Sequence, residues 1–215
     1  MQKLDLNNYN VFIFDCDGVI LNSNKLKNIL FLKSVIEYSP KQRDLFKKYI
    51  SKNKGISRYK FFEYFFKNIL KLDDKEFKTA YNKALKKYNQ FLKNEYSKCK
   101  FIPGFKLFIK KFKKFKKIVI SGSNQNELKY IFKKKRIYNL FNNIFGSPKS
   151  KFHHAELLNK KINKNIRKLY FGDSYYDYLV AKKLNADFIF IYGYSDDKKL
   201  FKLKKISKYK DFTTL

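Results

Sequence analysis

The sequence predicts an α/β protein: a doubly wound parallel sheet with an all-helical unit inserted after its first strand. Three observations predict it. Short apolar runs rich in Val, Ile and Phe alternate with segments of helical periodicity along most of the chain, and strand-then-helix repetition means parallel strands with helices on both faces. The runs end in polar motifs that would gather at the carboxyl edge of such a sheet, where ligands bind. Residues 22–98, in contrast, hold only helix-period apolar positions. The expected layout is therefore a core made of 1–21 and 99–215, interrupted by a helical unit at 22–98.

The first run, Val11-Phe12-Ile13-Phe14, stops at Asp15-Cys16-Asp17-Gly18. A run without polar alternation reads as a strand buried on both faces. If the strand geometry persisted, Asp15 and Asp17 would share a face, because side chains two apart point the same way. Gly18 would let the backbone turn away. Two carboxylates in one crevice repel unless a cation or a shared proton intervenes. Taken alone, the motif reads equally as a polar turn.

Helical spacing follows at 25–38, through Leu26, Ile29, Leu30, Leu32, Val35 and Ile36, and Ser39-Pro40 ends it. A second helix is expected at about 41–51. After the polar stretch 52–58, Ser57 is placed to cap a helix carrying Phe61, Phe62, Phe65, Phe66, Ile69 and Leu70. Asp73 and Glu76 resemble a capping box at the start of a long helix lined by Phe77, Tyr81, Leu85, Tyr88, Leu92 and Tyr96. The alternation resumes with a helix at 105–116 and a strand at 118–121 that ends in Ser121-Gly122-Ser123-Asn124. Next come a helix at 126–135, a strand at 144–145 and the turn Gly146-Ser147-Pro148-Lys149-Ser150-Lys151. A helix at 152–162 and a strand at 168–171 lead to Gly172-Asp173-Ser174-Tyr175-Tyr176-Asp177, and a helix at 177–185 and a strand at 187–192 complete the series.

Composition bounds the function. At 215 residues the chain can bury a core without disulfides. Cys16 and Cys99 are its only cysteines, and one lies between the two aspartates, so a structural bridge is not expected and a reducing, cytoplasmic setting is. Met1 to Tyr9 holds no apolar segment, so no secretory signal is read there, and no apolar stretch is long enough to span a bilayer. The net charge of +32 would ordinarily point to nucleic acid or an anionic membrane. However, 46 of the 50 basic residues are lysine and are spread along the chain, alongside abundant Asn, Ile, Phe and Tyr, few Gly and Pro, and no Trp. That usage follows from A+T-rich coding, so nucleic acid is not the expected partner. The run at 110–117 interleaves lysine with phenylalanine, as a helix with one apolar stripe also does.

Asp15-x-Asp17-Gly18, Ser121 after an apolar strand, a lysine at 149–151, and Gly172-Asp173-Ser174-x-x-Asp177 together resemble the four ordered motifs of the haloacid dehalogenase superfamily. The resemblance covers the full chain, with 22–98 matching that superfamily's inserted α-helical cap on a Rossmann-like core. It implies a phosphatase or phosphomutase acting on a small phosphorylated metabolite such as a sugar phosphate. Asp15 would be the nucleophile, forming an aspartyl-phosphate, and Asp17 the general acid and base. Family ATPases carry threonine at the second position, so an aspartate favours phosphatase or mutase chemistry. Mg²⁺ would be held by Asp15, the main-chain carbonyl of Asp17 and Asp173, with Asp177 supporting the site. Ser121 and the Gly122 N–H would bind the phosphoryl group. The motif lysine is Lys151 or Lys149, because the usual lysine before Pro-x-Pro is absent.

Arg58, one of four arginines, lies where related sugar-phosphate enzymes carry a specificity loop, and a guanidinium offers bidentate contact to a second phosphate or a carboxylate. His153 and His154 are adjacent, without metal-ligand spacing, and read as first-turn helix residues. Cys16 reads as a packed residue facing away from both aspartates. A reading from another class is a catalytically idle fold that binds nucleic acid or protein. The oligomeric state and the individual substrate are not legible.

Overall fold

The computed structural model describes residues 4–163, 165–195 and 197–215. Its centre is β1 (Val11–Phe14), buried along its whole length. Phe12 and Phe14 face one apolar core and Val11 and Ile13 the other, the period-two division expected of a strand covered on both sides. Phe14 stacks on Phe171 with ring centroids 4.8 Å apart, and Phe12 on Phe115 at 5.0 Å. Aromatic pairs thus clamp the first strand to its neighbours.

Around it lie β2 (Lys116–Asn124), β3 (Asn143–Ser147), β4 (Lys168–Gly172), β5 (Asp187–Ile191) and β6 (Ser207–Tyr209). The order is β3-β2-β1-β4-β5-β6 and every pairing is parallel. The chain therefore winds outward in one direction from β1 and in the other from β4, and ligand crevices form where that direction switches. Phe14 is in register with both Val119 and Phe171. β1 and β4 consequently end within one residue of each other, while β2 runs on past them to Asn124.

Between β1 and β2 the chain forms α1 (Asn24–Lys33), α2 (Pro40–Lys52), α3 (Arg58–Tyr64) and α4 (Asp74–Glu95), with a π-helical turn at Phe65–Ile69 prolonging α3. Ser39 and Gln42 form a reciprocal capping box, with Pro40 in the first turn of α2. Asp73 accepts from the Glu76 N–H at 2.8 Å and caps α4. These helices pack through aromatic rings: Phe31 stacks on Tyr88 at 4.5 Å, and Phe46 meets Phe65 at 4.8 Å. The sheet is flanked by α5 (Phe105–Lys111), α6 (Gln125–Lys134), α7 (Lys151–Lys161) and α8 (Tyr175–Lys183), and a short α9 (Lys198–Phe201) precedes β6. No helix among the described residues is long and apolar enough to cross a membrane.

Several local expectations are corrected. α1 ends at Lys33 and gives way to turns that leave Ile36 exposed, and Ile29, within α1, falls on the exposed face of the helix. α5 ends at Lys111, because β2 already begins at Lys116. Ser57 occupies the N-cap position of α3 without a side-chain capping bond. β6 was not foreseen from the sequence; it is a three-residue edge strand held by pairing to Ile189–Ile191.

Candidate active site

Asp15 follows β1 directly, and its N–H donates to the Phe171 carbonyl at 2.9 Å, so its backbone is still held by the sheet. Asp173 follows β4 across the switch point. The turn between Asp17 and Leu21 needs Gly18, whose φ is +82°. A Cβ at Gly18 would also come within 2.2 Å of Asp173 Oδ2. The glycine serves both the turn and the carboxylate that packs against it.

Lys151, the first residue of α7, reaches into this cluster. Ser150 caps α7 by accepting from the His153 N–H at 3.1 Å, which fixes where the helix starts. The Lys151 ammonium lies 2.8 Å from Asp15 Oδ1 and 2.7 Å from Asp177 Oδ1. Asp177 is fully occupied: Oδ1 also accepts from the Tyr170 hydroxyl at 3.1 Å, and Oδ2 from the Ser174 N–H at 3.1 Å and its hydroxyl at 2.6 Å. It does not reach the cavity wall, whereas Asp15, Asp17, Lys151 and Asp173 line it. Lys149 is exposed on the turn before α7.

Oxygens of Asp15, Asp173 and Asp177 lie within 4.8 Å of one another. Burial pushes the Asp15 carboxyl up to about 7, the Lys151 charge opposing and the Asp177 and Asp17 charges reinforcing the rise. Burial, then repulsion from Asp15 and Asp177, raises Asp173 well above the usual carboxylate range. Burial works to lower Lys151, but Asp15 and Asp177 outweigh it and hold the ammonium charged. With three carboxylates and one ammonium, the ionised cluster is two charges negative. A hard divalent cation with oxygen ligands would balance it, so the donor set fits Mg²⁺ chemistry.

The second aspartate has a separate environment. Asp17 Oδ1 accepts from the Ser23 hydroxyl at 2.5 Å and the Tyr96 hydroxyl at 2.9 Å; Oδ2 accepts from the Lys27 ammonium at 2.6 Å and the Ser123 hydroxyl at 2.7 Å. Burial would raise its carboxyl, but Lys27 and the hydroxyl donors overcome that and hold it at about 2. Cys16 is buried with its sulfur 3.4 Å from the Tyr96 hydroxyl. Burial, then the Asp17 charge, pushes its thiol up, so it is a poor nucleophile.

Gly122 and Ser123 line the cavity, while Ser121 sits behind them, its Oγ accepting from the Ser123 N–H at 3.1 Å. The loop before α3 lies directly on this strand end. A Cβ on Gly122 would meet the Gly55 carbonyl oxygen at 2.8 Å, and one on Gly55 would meet Ser174 Oγ at 2.6 Å. Arg58 also lines the cavity but is engaged inside the protein. Its guanidinium pairs with Glu127, bonds Asn89 and lies 4.7 Å from the centre of the Tyr88 ring. His153 and His154 fall in the first turn of α7. His154 is buried against Phe145, its Nε2 3.0 Å from the Gly146 carbonyl.

Sequence reasoning missed Lys27, Ser23, Tyr96, Asn24 and Glu127. Ser123 was within reach, since it stands in the same polar motif as Ser121. Asn24 donates to Asp173 Oδ2 at 2.6 Å.

The family model for haloacid dehalogenase-like hydrolases matches residues 12–191. The chain belongs to that family. Its hydrolase fold recurs in solved structures at low identity. A proposed phosphoglycolate phosphatase from Lactobacillus plantarum is 16% identical with a TM-score of 0.71, covering 96% of this chain and 97% of its own. A haloacid dehalogenase-like family protein from Streptococcus pneumoniae is 15% identical with a TM-score of 0.67, over 95% of both chains. CbbY from Rhodobacter sphaeroides, in complex with phosphate, is 11% identical with a TM-score of 0.68, over 95% of both. Among curated proteins no sequence matches this hydrolase.

Proposed function

We propose that this hydrolase is a Mg²⁺-dependent phosphatase of small phosphorylated metabolites of the sugar-phosphate kind. The observation that carries the reading is Lys151, held between Asp15 and Asp177 with Asp173 beside them. A phosphoryl group needs a nucleophile, charge compensation and donors for its equatorial oxygens, and these residue types supply them. A carboxylate oxygen of Asp15 bonds to phosphorus as the ester P–O bond breaks, and the leaving oxygen takes a proton by way of Asp17, which is ionised at rest among its donors and first takes that proton up from the incoming phosphate monoanion. Water then gives a proton to Asp17 and attacks the aspartyl-phosphate, releasing inorganic phosphate and restoring Asp15. Lys151 offsets negative charge on Asp15 and the phosphoryl group. The Gly122 N–H and the Ser121 hydroxyl, whose oxygen accepts from the Ser123 N–H, are the donors to phosphoryl oxygens. Asp15, Asp173 and the Asp17 carbonyl would hold the cation, which when bound supplies Lewis-acid compensation of phosphate charge.

The helical unit at 22–98 acts as the cap: its loop at Gly55 excludes bulk water and its Lys27 and Tyr96 fix Asp17. Both cysteines are free and buried, which supports a reducing, cytoplasmic setting. The test is turnover of a metabolite panel with Mg²⁺, with and without chelator, by wild type and Asp15→Asn. Free phosphate from the wild type alone, lost on chelation, is expected. An isomerised substrate without free phosphate would assign a mutase, and activity surviving in Asp15→Asn would remove Asp15 as nucleophile.

A further inference from the structure

Among the described residues, every cation lining the cavity already has a partner within the protein. Lys151 lies between Asp15 and Asp177, Lys27 on Asp17, and Arg58 on Glu127 and Asn89; Lys54 is engaged as well. Arg58 is the group a second anion would be expected to use, and it is the most committed. Its side chain is 3% exposed, its fork reaches both oxygens of Glu127, and Tyr88 covers its face. Glu127 is itself anchored, because its N–H donates to Asn124, the cap of α6, and Asn124 also bonds the Tyr59 hydroxyl at 3.0 Å. To serve a substrate, Arg58 would have to abandon a carboxylate that then stays partly buried without its counter-charge.

Apart from Lys54, which is already engaged, the cavity lining contributed by the elements that carry Arg58 and its neighbours is neutral. Phe31, Ile50, Ile56 and Phe61 supply apolar surface, and Asn28 a neutral hydrogen-bonding group. A second phosphate or carboxylate there would lose water without gaining a cation, within reach of the aspartates' charge.

Building on the phosphatase reading, we propose that Glu127 is a specificity-determining residue that withholds Arg58 from the substrate. The enzyme therefore selects phosphate monoesters whose organic part carries no second negative charge. Hydroxylated, uncharged groups fit the mixed apolar and amide wall, whereas bisphosphates and phosphorylated carboxylic acids are rejected.

The test uses paired esters without and with a second negative charge, with wild-type enzyme and Mg²⁺: 2-hydroxyethyl phosphate against the similarly sized 2-phosphoglycolate, and glucose 1-phosphate against the larger glucose 1,6-bisphosphate. The neutral member of each pair is expected to have a kcat/KM at least about tenfold higher, the scale set by a single lost charge contact. Glu127→Gln, which frees the guanidinium, should narrow that gap at least about fivefold. Equal or better wild-type turnover of the anionic members overturns the proposal, as does a gap unchanged in folded Glu127→Gln. If Glu127→Gln does not fold, Arg58→Met decides: selective loss of 2-phosphoglycolate turnover overturns the proposal, and a gap that persists supports it. Failure to hydrolyse any ester, p-nitrophenyl phosphate included, overturns the phosphatase reading itself and is distinct from an inverted ratio.

Discussion

Lys27, on the first helix after the opening strand, sets its ammonium 2.6 Å from Asp17 Oδ2, while Tyr96, just beyond α4, donates to the other oxygen at 2.9 Å. The proposed acid and base is thus oriented by the inserted helices as much as by the sheet. Leaving groups that need a proton should feel its loss most. Asp17→Asn is expected to lower kcat/KM on an alkyl phosphate by about 10²–10⁴-fold, and clearly less on p-nitrophenyl phosphate, whose leaving oxygen is stable as an anion. Lys27→Met should show the same contrast at about tenfold, because the carboxylate keeps its hydroxyl donors but loses its fixed direction. Steady-state kinetics on the two substrates checks both variants, and an equal loss on both would remove Asp17 from proton transfer.

The two candidate lysines separate by burial. Lys151→Met leaves Asp15, Asp173 and Asp177 clustered without a counter-charge, and breaking such a buried pair costs about 3–5 kcal/mol. Urea denaturation of the metal-free protein should show that loss, and turnover should fall by at least about 10²-fold. Lys149→Met, at an exposed position, should stay within about 0.5 kcal/mol of wild type.

What the sequence could reveal followed the range of the interactions involved. The strands leading to Asp15, Ser121 and Asp173 were legible because burial on both faces demands unbroken apolar runs, although β2 continues through the polar motif to Asn124. The start of α7 at Lys151 lies one residue before the helix read at 152–162, and the Ser150 cap that fixes it emerges only in the structure. Lys27 was not, since it is one of 46 lysines and helical periodicity assigns it to solvent; only the tertiary approach of Asp17 and Tyr96 buries it. Glu127 was equally hidden, because it meets Arg58 across 69 residues of chain. β6 escaped because Ser207-Lys208-Tyr209 carries no apolar pattern, its place being set by main-chain pairing at the sheet edge.

Gly122 marks where the loop before α3 meets the sheet. In Gly122→Ala the new methyl would lie 2.8 Å from the Gly55 carbonyl oxygen and 3.0 Å from that of Ile56, both backbone atoms that cannot swing aside. The loop must lift off the strand end, exposing Asp15 to bulk water. Overpacking of this kind costs about 1–3 kcal/mol. A fall in kcat/KM of about tenfold or more is expected, in keeping with the sensitivity of reacting groups to small displacements. Kinetics together with proteolysis of the loop at 53–57 would check it; unchanged kinetics would mean that the loop does not need to sit here during turnover.

Far from the site, Tyr9 ties the segment before β1 to β5. Its hydroxyl donates to Asp187 Oδ2 at 2.6 Å, and Arg167 lies over its ring, 4.9 Å from the centre. Burial, then the Asp187 hydrogen bond and charge, pushes the phenol up to about 12 from an ordinary value of 10. A group whose folded-state pKa is raised binds its proton more tightly when folded, so its contribution is complete below pH 10 and disappears as pH rises through 12. Wild-type stability should therefore decline more steeply between pH 10 and 12 than that of Tyr9→Phe, which has no phenol proton to lose. Denaturant midpoints across this window measure the difference. Parallel slopes for the two proteins would mean that the Tyr9–Asp187 bond is not maintained in solution.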